Sequence, residues 1–186
     1  MSNVLALSGG IDSSAVLATL PIDLAVYVDY GQAAAVQERN AARLMAQKFE
    51  TPLQETRIEG LDIGSMNDAP GVSGPRVVQA RNAIILSICA NHAPPGSVVY
   101  LGAHKDDSKN YPDCRPEFIG AMTQAFLDAY GVTVRAPFQL MTKRQVRDTL
   151  ASVLRDFNFC WSCYAPTDTG QPCGACDSCM SNAAEG

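Results

Sequence analysis

Val4-Leu5-Ala6-Leu7-Ser8-Gly9-Gly10-Ile11-Asp12-Ser13-Ser14-Ala15-Val16-Leu17-Ala18 is the stretch on which the fold turns. The apolar run Val4–Leu7 stops at Ser8-Gly9-Gly10, and a helical pattern over Asp12–Leu20 follows directly. That order predicts a buried strand, a tight glycine turn and a helix. Adjacent glycines carry no Cβ, so bare amides can approach an anion, and the helix N-terminus behind them adds its positive dipole end. A pyrophosphate group fits such a cradle, which points to ATP, with Leu7 through Leu17 as its candidate contacts. The stretch lacks the Gly-Lys-Ser/Thr ending of a Walker A loop and is not the Gly-x-Gly-x-x-Gly of dinucleotide folds.

Outward from this turn, strand and helix patterns alternate. Leu24–Val28 reads as a second buried strand ending at Asp29-Tyr30-Gly31-Gln32. Ala34–Phe49 has helical spacing, Leu53–Ile58 suits a third strand, and the Gly-, Pro- and Ser-rich residues 59–76 read as a mobile loop. Ala80–His92 reads as an apolar helix, Val98–Leu101 as a strand and Gly102–Arg115 as a polar loop. Pro116 suits the first position of a helix to Tyr130, and Val132–Val134 is a short strand. Thr142-x-x-Gln145 is a capping box that opens a helix to about Phe157. Such alternation implies an α/β fold with a doubly wound parallel sheet, whose ligands sit outside the carboxyl ends of the strands. Ser8–Ser13, Asp29–Gln32 and Gly102–Arg115 all follow strands and should meet in one cleft.

With 186 residues, 47% hydrophobic and 18% charged, the composition is that of a globular chain with room for a real core. A net charge of -5 speaks against broad nucleic-acid binding through a basic face. No apolar run approaches the ~20 residues of a membrane span. A strand that begins at residue 4 leaves no room for a signal peptide, so a cytoplasmic protein without membrane partners is expected.

Five of the seven cysteines crowd between Cys160 and Cys179, in Cys160-Trp-Ser-Cys163 and Cys173-Gly-Ala-Cys176-Asp-Ser-Cys179. Paired CxxC knuckles present thiolates to a tetrahedral metal, and zinc is the metal they suit. Spacing offers five thiols for four places and does not choose among them. A third cluster, Tyr111-Pro112-Asp113-Cys114-Arg115-Pro116-Glu117-Phe118-Ile119, packs carboxylates, a cation and aromatic rings at a helix mouth. Such a set can grip a planar heterocycle bearing N–H groups and a carboxylate. Cys114 reads as a buried or substrate-lining thiol, His92 as a helix C-cap, His104 as a solvated loop residue and Trp161 as core packing.

Ser-Gly-Gly-x-Asp-Ser is the pattern of the PP-loop ATP pyrophosphatases. With Asp-Tyr-Gly-Gln (29–32), Ala-Arg-Asn (80–82), Tyr-Pro-Asp-Cys-Arg-Pro-Glu-Phe-Ile (111–119), Ala-Pro-Phe and Thr-Lys (136–138, 142–143) and the cysteine tail, the chain resembles the 7-cyano-7-deazaguanine synthase family. The resemblance implies an adenine nucleotide alpha hydrolase-like α/β domain over 1–157 with a small zinc-binding segment, 158–186. It implies an ATP- and Mg2+-dependent ligase acting on a small deazapurine, 7-carboxy-7-deazaguanine, and ammonia. Ser8, Asp12, Ser13 and Lys143 would serve catalysis and Arg81, Asn82, Tyr111, Asp113, Arg115, Glu117 and Phe118 the deazapurine. The family's zinc ligands match Cys163, Cys173, Cys176 and Cys179, with a non-cysteine at the place of Cys160. Direct nucleic-acid binding is not implied; a homodimer is an open assembly.

Three departures stand out. Ala33-Ala34-Ala35 fill a stretch where the family usually has a histidine, the 104–110 loop is more charged than usual, and the chain ends soon after Cys179. They leave a second reading open, in which the product is the amide or the activated acyl group passes to another amine, such as one on a protein.

Overall fold

The computed structural model describes residues 1–63 and 77–185. Five parallel strands form one sheet in the order β3-β2-β1-β4-β5: β1 Asn3–Ala6, β2 Leu24–Asp29, β3 Leu53–Arg57, β4 Val98–Leu101 and β5 Thr133–Arg135. Val4 pairs with Leu24 on one side and Val99 on the other, which puts β1 at the centre. The helices are α1 Ile11–Thr19, α2 Ala35–Lys48, α3 Arg81–Asn91, α4 Asp107–Asn110, α5 Pro116–Tyr130, α6 Lys143–Val153 and α7 Asp177–Glu185.

Side chains alternate across the sheet because a strand has a period of two. Val4, Ala6, Val26 and Val28 pack one face against Leu86 and Cys89 of α3 and Ile119 and Phe126 of α5. Leu5, Leu7, Ala25 and Tyr27 pack the other against Val16 of α1, Met45 of α2 and Leu150 of α6. Both faces are covered, so the central strands are apolar throughout, as expected for a doubly wound sheet. The strand order reverses between β1 and β4, and at that switch point the loops leaving the two strands part and open a cleft.

Three expectations shift. The last α/β helix stops at Val153, four residues short of Phe157. Beyond it Asp156 Oδ1 accepts from Asn158 N–H (2.9 Å), and Phe157, Phe159 and Cys160 turn inward onto the core. Local turn chemistry and apolar anchoring override helical continuation there. The 102–115 loop contains α4 and a short 3-10 turn, Pro112–Cys114. The cysteine-rich segment ends in a helix, α7, with Met180 N–H donating to Cys176 O (3.0 Å). Most of the 59–76 loop lies outside the described residues.

Two contacts fix the turn after β1. A Cβ built on Gly102, the residue after β4, would lie 2.5 Å from Ser13 N and 2.8 Å from Ser13 Cα. The first turn of α1 therefore rests on bare backbone. The β2–α2 loop is held by its own side chains. Gly31 N–H donates to Asp29 Oδ1 (3.0 Å), Tyr30 N–H donates to Gln32 Oε1 (2.9 Å), and Gln32 Nε2–H donates to Glu38 Oε2 (2.7 Å). Asp29 also pairs with Arg39. Burial, against the Gln32 hydrogen bond and the Arg81 charge, pushes the Glu38 carboxyl up to about 7.

Gly102→Ala forces backbone apart and should cost about 1–3 kcal/mol, whereas Gly120→Ala, where an added Cβ on α5 meets nothing within 4 Å, should be neutral or stabilising by up to ~1 kcal/mol. Thermal unfolding of both variants checks this; equal effects would contradict it. Glu38 is an acid with a raised folded pKa, so its contribution to stability is full below its unfolded value and falls away as pH rises through about 7. The loss is at most ~3 kcal/mol. Glu38→Gln keeps an acceptor for Gln32 and should narrow the gap in Tm between pH 5 and pH 8; an unchanged gap would contradict the assignment.

Candidate active site

The cleft at the carboxyl ends of β1, β2 and β4 has a volume of about 480 Å³. One end is the glycine turn. Ser8 N–H donates to Ser13 Oγ (3.2 Å), the two hydroxyls lie 3.1 Å apart, and Gly10 N–H donates to Ser8 Oγ (3.3 Å). Gly9 has φ +79, and a Cβ on it would lie 2.6 Å from Glu38 O and 2.7 Å from Ala42 N. Only glycine satisfies both the left-handed backbone and the seat against α2. Gly10 is the N-cap of α1 and offers no side-chain cap, so the amides of Ile11, Asp12 and Ser13 have no acceptor within the helix. Backbone donors at a helix start suit an anion.

Beside it stand Asp12, His104 and Asp107, whose ligating atoms lie within 4.8 Å of one another. His104 is 4% exposed, not solvated. Its Nδ1 accepts from the amides of Asp106 (3.2 Å) and Asp107 (3.3 Å). The ring proton therefore sits on Nε2, which faces Asp107 Oδ1 at 3.4 Å and Asp12 Oδ1 at 3.7 Å. A protonated Nε2 cannot ligate a cation; His104 instead holds two carboxylates together. Asp12 Oδ1 is buried without a hydrogen-bond partner. Burial is the largest influence on Asp12 and, with the Asp107 charge, lifts it to about 6 against the pull of His104 and Lys143. Hard carboxylate oxygens beside a phosphate cradle fit Mg2+. Lys143 also lines the cleft, and its amide donates to Asp106 Oδ2 (3.0 Å) at the start of α6.

The other end is formed by Tyr30, Glu38, Arg81, Asn82, Tyr111 and Tyr164. Ala80, in a left-handed conformation (φ 61), launches α3 and presents Arg81 and Asn82 from its first turn. Arg81 lines the cleft together with Tyr30, and its Nε donates to Asn82 Oδ1 (3.3 Å). Tyr164 lines the cleft together with Tyr111. Asp113 stands behind Asn82, accepting from its amide at Oδ2 (3.4 Å) and from its side chain at the carbonyl (3.3 Å).

Of the sequence candidates, Ser8, Gly10, Ile11, Asp12, Ser13, Lys143, Arg81, Asn82 and Tyr111 therefore share one cleft, with Leu7 on its wall. Ala15, Val16 and Leu17 are buried in the core behind it, and Gly9 and Ser14 shape the turn without lining it. Arg115 and Glu117 are exposed and off the lining; Arg115 Nε donates to Ser108 O (3.1 Å). Phe118 packs on the core. Helix geometry explains the split: α5 buries Ile119 and turns its first-turn charge to solvent. Glu38, His104 and Tyr164 line the cleft without being among the sequence candidates. A signal for Glu38 exists, since positions 38, 41, 42 and 45 share one helical face whose other members are buried, and a carboxylate there is out of pattern. Trp161 lines the cleft rather than the core, and Cys114 is buried at its edge.

The thiols of Cys163, Cys173, Cys176 and Cys179 converge within 4.8 Å. Cys173 N–H points to Cys163 Sγ (3.3 Å) and Cys176 N–H to Cys173 Sγ (3.3 Å), as in metal knuckles. Burial would raise the Cys173 thiol, but the amides of Ala175 and Cys176 and the neighbouring thiols bring it down to about 6. Four soft donors in one cluster fit zinc. Cys160 is outside the cluster and packs on the core.

The model of the family described as "Queuosine biosynthesis protein QueC" matches residues 2–184. The 7-cyano-7-deazaguanine synthase of Rhizorhabdus wittichii is 34% identical over 200 aligned residues, covering 95% of this chain and 86% of the relative. The proteins of the same name from Pseudomonas paraeruginosa and Ectopseudomonas mendocina are 32% and 30% identical, covering 95% and 97% of this chain and 89% and 91% of theirs. A fold with this switch point, one cleft joining a Ser-Gly-Gly-x-Asp-Ser turn to Tyr111, and a match along nearly the whole chain have one reading: this protein belongs to the QueC family.

Proposed function

We propose that this chain is an ATP-dependent ligase that converts 7-carboxy-7-deazaguanine and ammonia into 7-cyano-7-deazaguanine. The observation that carries the reading is the single cleft with a phosphate cradle at one end and a tyrosine-, arginine- and carboxylate-lined pocket at the other. Its relatives bear the name of that activity.

A carboxylate is a poor electrophile until one oxygen leaves. In the proposed reaction a substrate carboxylate oxygen attacks the α-phosphorus of ATP and pyrophosphate departs. Ammonia then adds to the carbonyl, AMP leaves with the transferred oxygen, and an amide results. A second ATP takes the amide oxygen in the same way, and loss of AMP and a proton yields the nitrile. The amides of Ile11, Asp12 and Ser13 would hold the departing pyrophosphate with dipoles that need no reorganisation. Mg2+, when bound, would neutralise phosphate charge. Asp12 and Asp107 would hold the cation, His104 would keep the two carboxylates in place, and Lys143 would reach phosphate or adenylate. Tyr111 and Tyr164 suit stacking on the deazapurine, Glu38 suits its ring N–H groups, and Arg81 and Asn82 suit its carboxylate and carbonyl. Asp113 would act by holding Asn82. The zinc site is closed, with no place for water, and would have no part in the chemistry.

Incubation with 7-carboxy-7-deazaguanine, ATP, Mg2+ and ammonium, followed by mass analysis, tests the reading. The expected products are the nitrile, AMP and pyrophosphate, and ADP with phosphate as sole nucleotide products would overturn it. Ser8→Ala or Asp12→Ala should lower kcat by about 10²–10³-fold, the order of one lost charge-stabilising donor. Amide as the only product would favour the second reading, an amide-forming relative.

A further inference from the structure

The cysteine-rich segment alternates metal-ligand positions with cleft positions. Ser162 and Tyr164 flank Cys163, Asp177 and Ser178 follow Cys176, and Ser181 lies just past Cys179 on α7; all five line the cleft. The segment is also tied to the glycine turn. Trp161 N–H donates to Gly9 O (2.9 Å), and Trp161 Nε1–H donates to Cys163 O (2.7 Å). From Gly9 to a ligand cysteine there are thus two hydrogen bonds and one indole.

A stretch this short, with four cysteines gathered at one point, has little apolar surface of its own to bury. Metal binding then supplies its folding free energy. Where the metal holds the segment, it also holds Tyr164 in the cleft that Tyr111 and Arg81 line, and the Trp161 backbone against the turn.

We propose that the thiolate cluster sets one wall of the nucleotide cleft, so that zinc retention and ATP binding are thermodynamically linked. The inference rests on reading the cleft as an ATP site. Linkage is reciprocal: whatever factor zinc contributes to nucleotide affinity, nucleotide contributes to zinc affinity. The metal stays out of the chemistry, and its influence passes through Trp161, Tyr164 and the first turn of α7.

The test uses the zinc-loaded, full-length protein and α,β-methylene-ATP, which the α–β cleavage cannot consume. Binding of the analogue is measured first by calorimetry in excess Mg2+. Zinc affinity is then read by equilibrium competition against a colorimetric chelator with and without saturating analogue, while the fluorescence of Trp161, the sole tryptophan, follows the segment. Saturation should raise zinc affinity at least about fivefold, the lower end of common coupling strengths, and fluorescence should change in step with zinc occupancy. Zinc-stripped protein should bind the analogue weaker by a matching factor. Equal zinc affinity with the analogue bound, or equal analogue affinity of stripped and loaded protein, would overturn the coupling and leave the ATP reading standing. No binding to the zinc-loaded protein would overturn both.

Discussion

Close approach of bare backbone at the carboxyl ends of β1 and β4 is the constraint on which the rest depends. Gly9 leaves less than a methyl group's space against α2, and Gly102 leaves none against the first turn of α1. Together they fix where the N-terminus of α1 points and hence where its unpaired amides converge. A Cβ at either position would meet backbone at less than 3 Å, so the turn would have to shift. The carboxylates beside the cradle inherit this placement, because Asp12 sits on the same turn and meets His104 and Asp107 only if that turn is seated.

Charge is arranged around the cradle so that each end of the cleft has its own chemistry. Asp12 and Asp107 are half-buried, and between them stands one imidazole fixed by two backbone amides. Two half-buried carboxylates side by side are costly without a cation or a proton, which suits them to a divalent metal. Glu38, at the other end, is steadied by Gln32, which is itself locked by the Tyr30 amide. Its remaining acceptor capacity faces the tyrosine-lined pocket, where a heterocycle with adjacent N–H donors would satisfy it.

Much of this was legible in the sequence because it rests on local rules. The strand–turn–helix reading of Val4–Ala18 needs only apolar run length and two glycines, and the Thr142 capping box needs only a four-residue pattern that the structure reproduces with both bonds. The choice of four thiols out of five came from the family resemblance, and the clustering agrees with it. What was not legible depends on partners far away in the chain. Gly102 reads as an ordinary loop residue until α1 is packed over it. His104 reads as a polar loop residue until its ring is seen to accept two amides from its own turn. Arg115 and Glu117, part of the most distinctive motif, face outward because Ile119 and Phe126 claim the inner face of α5. A motif marks a segment as important without saying which of its side chains faces the ligand.

In the proposed reaction the cleft brings a substrate carboxylate to the α-phosphorus of a nucleotide held by the turn after β1. Isotope transfer tests this most directly. With 7-carboxy-7-deazaguanine labelled with ¹⁸O in its carboxylate, the AMP released should carry ¹⁸O from that group in its phosphate, and the pyrophosphate should carry none. Unlabelled AMP, or label in pyrophosphate or phosphate, would contradict the account.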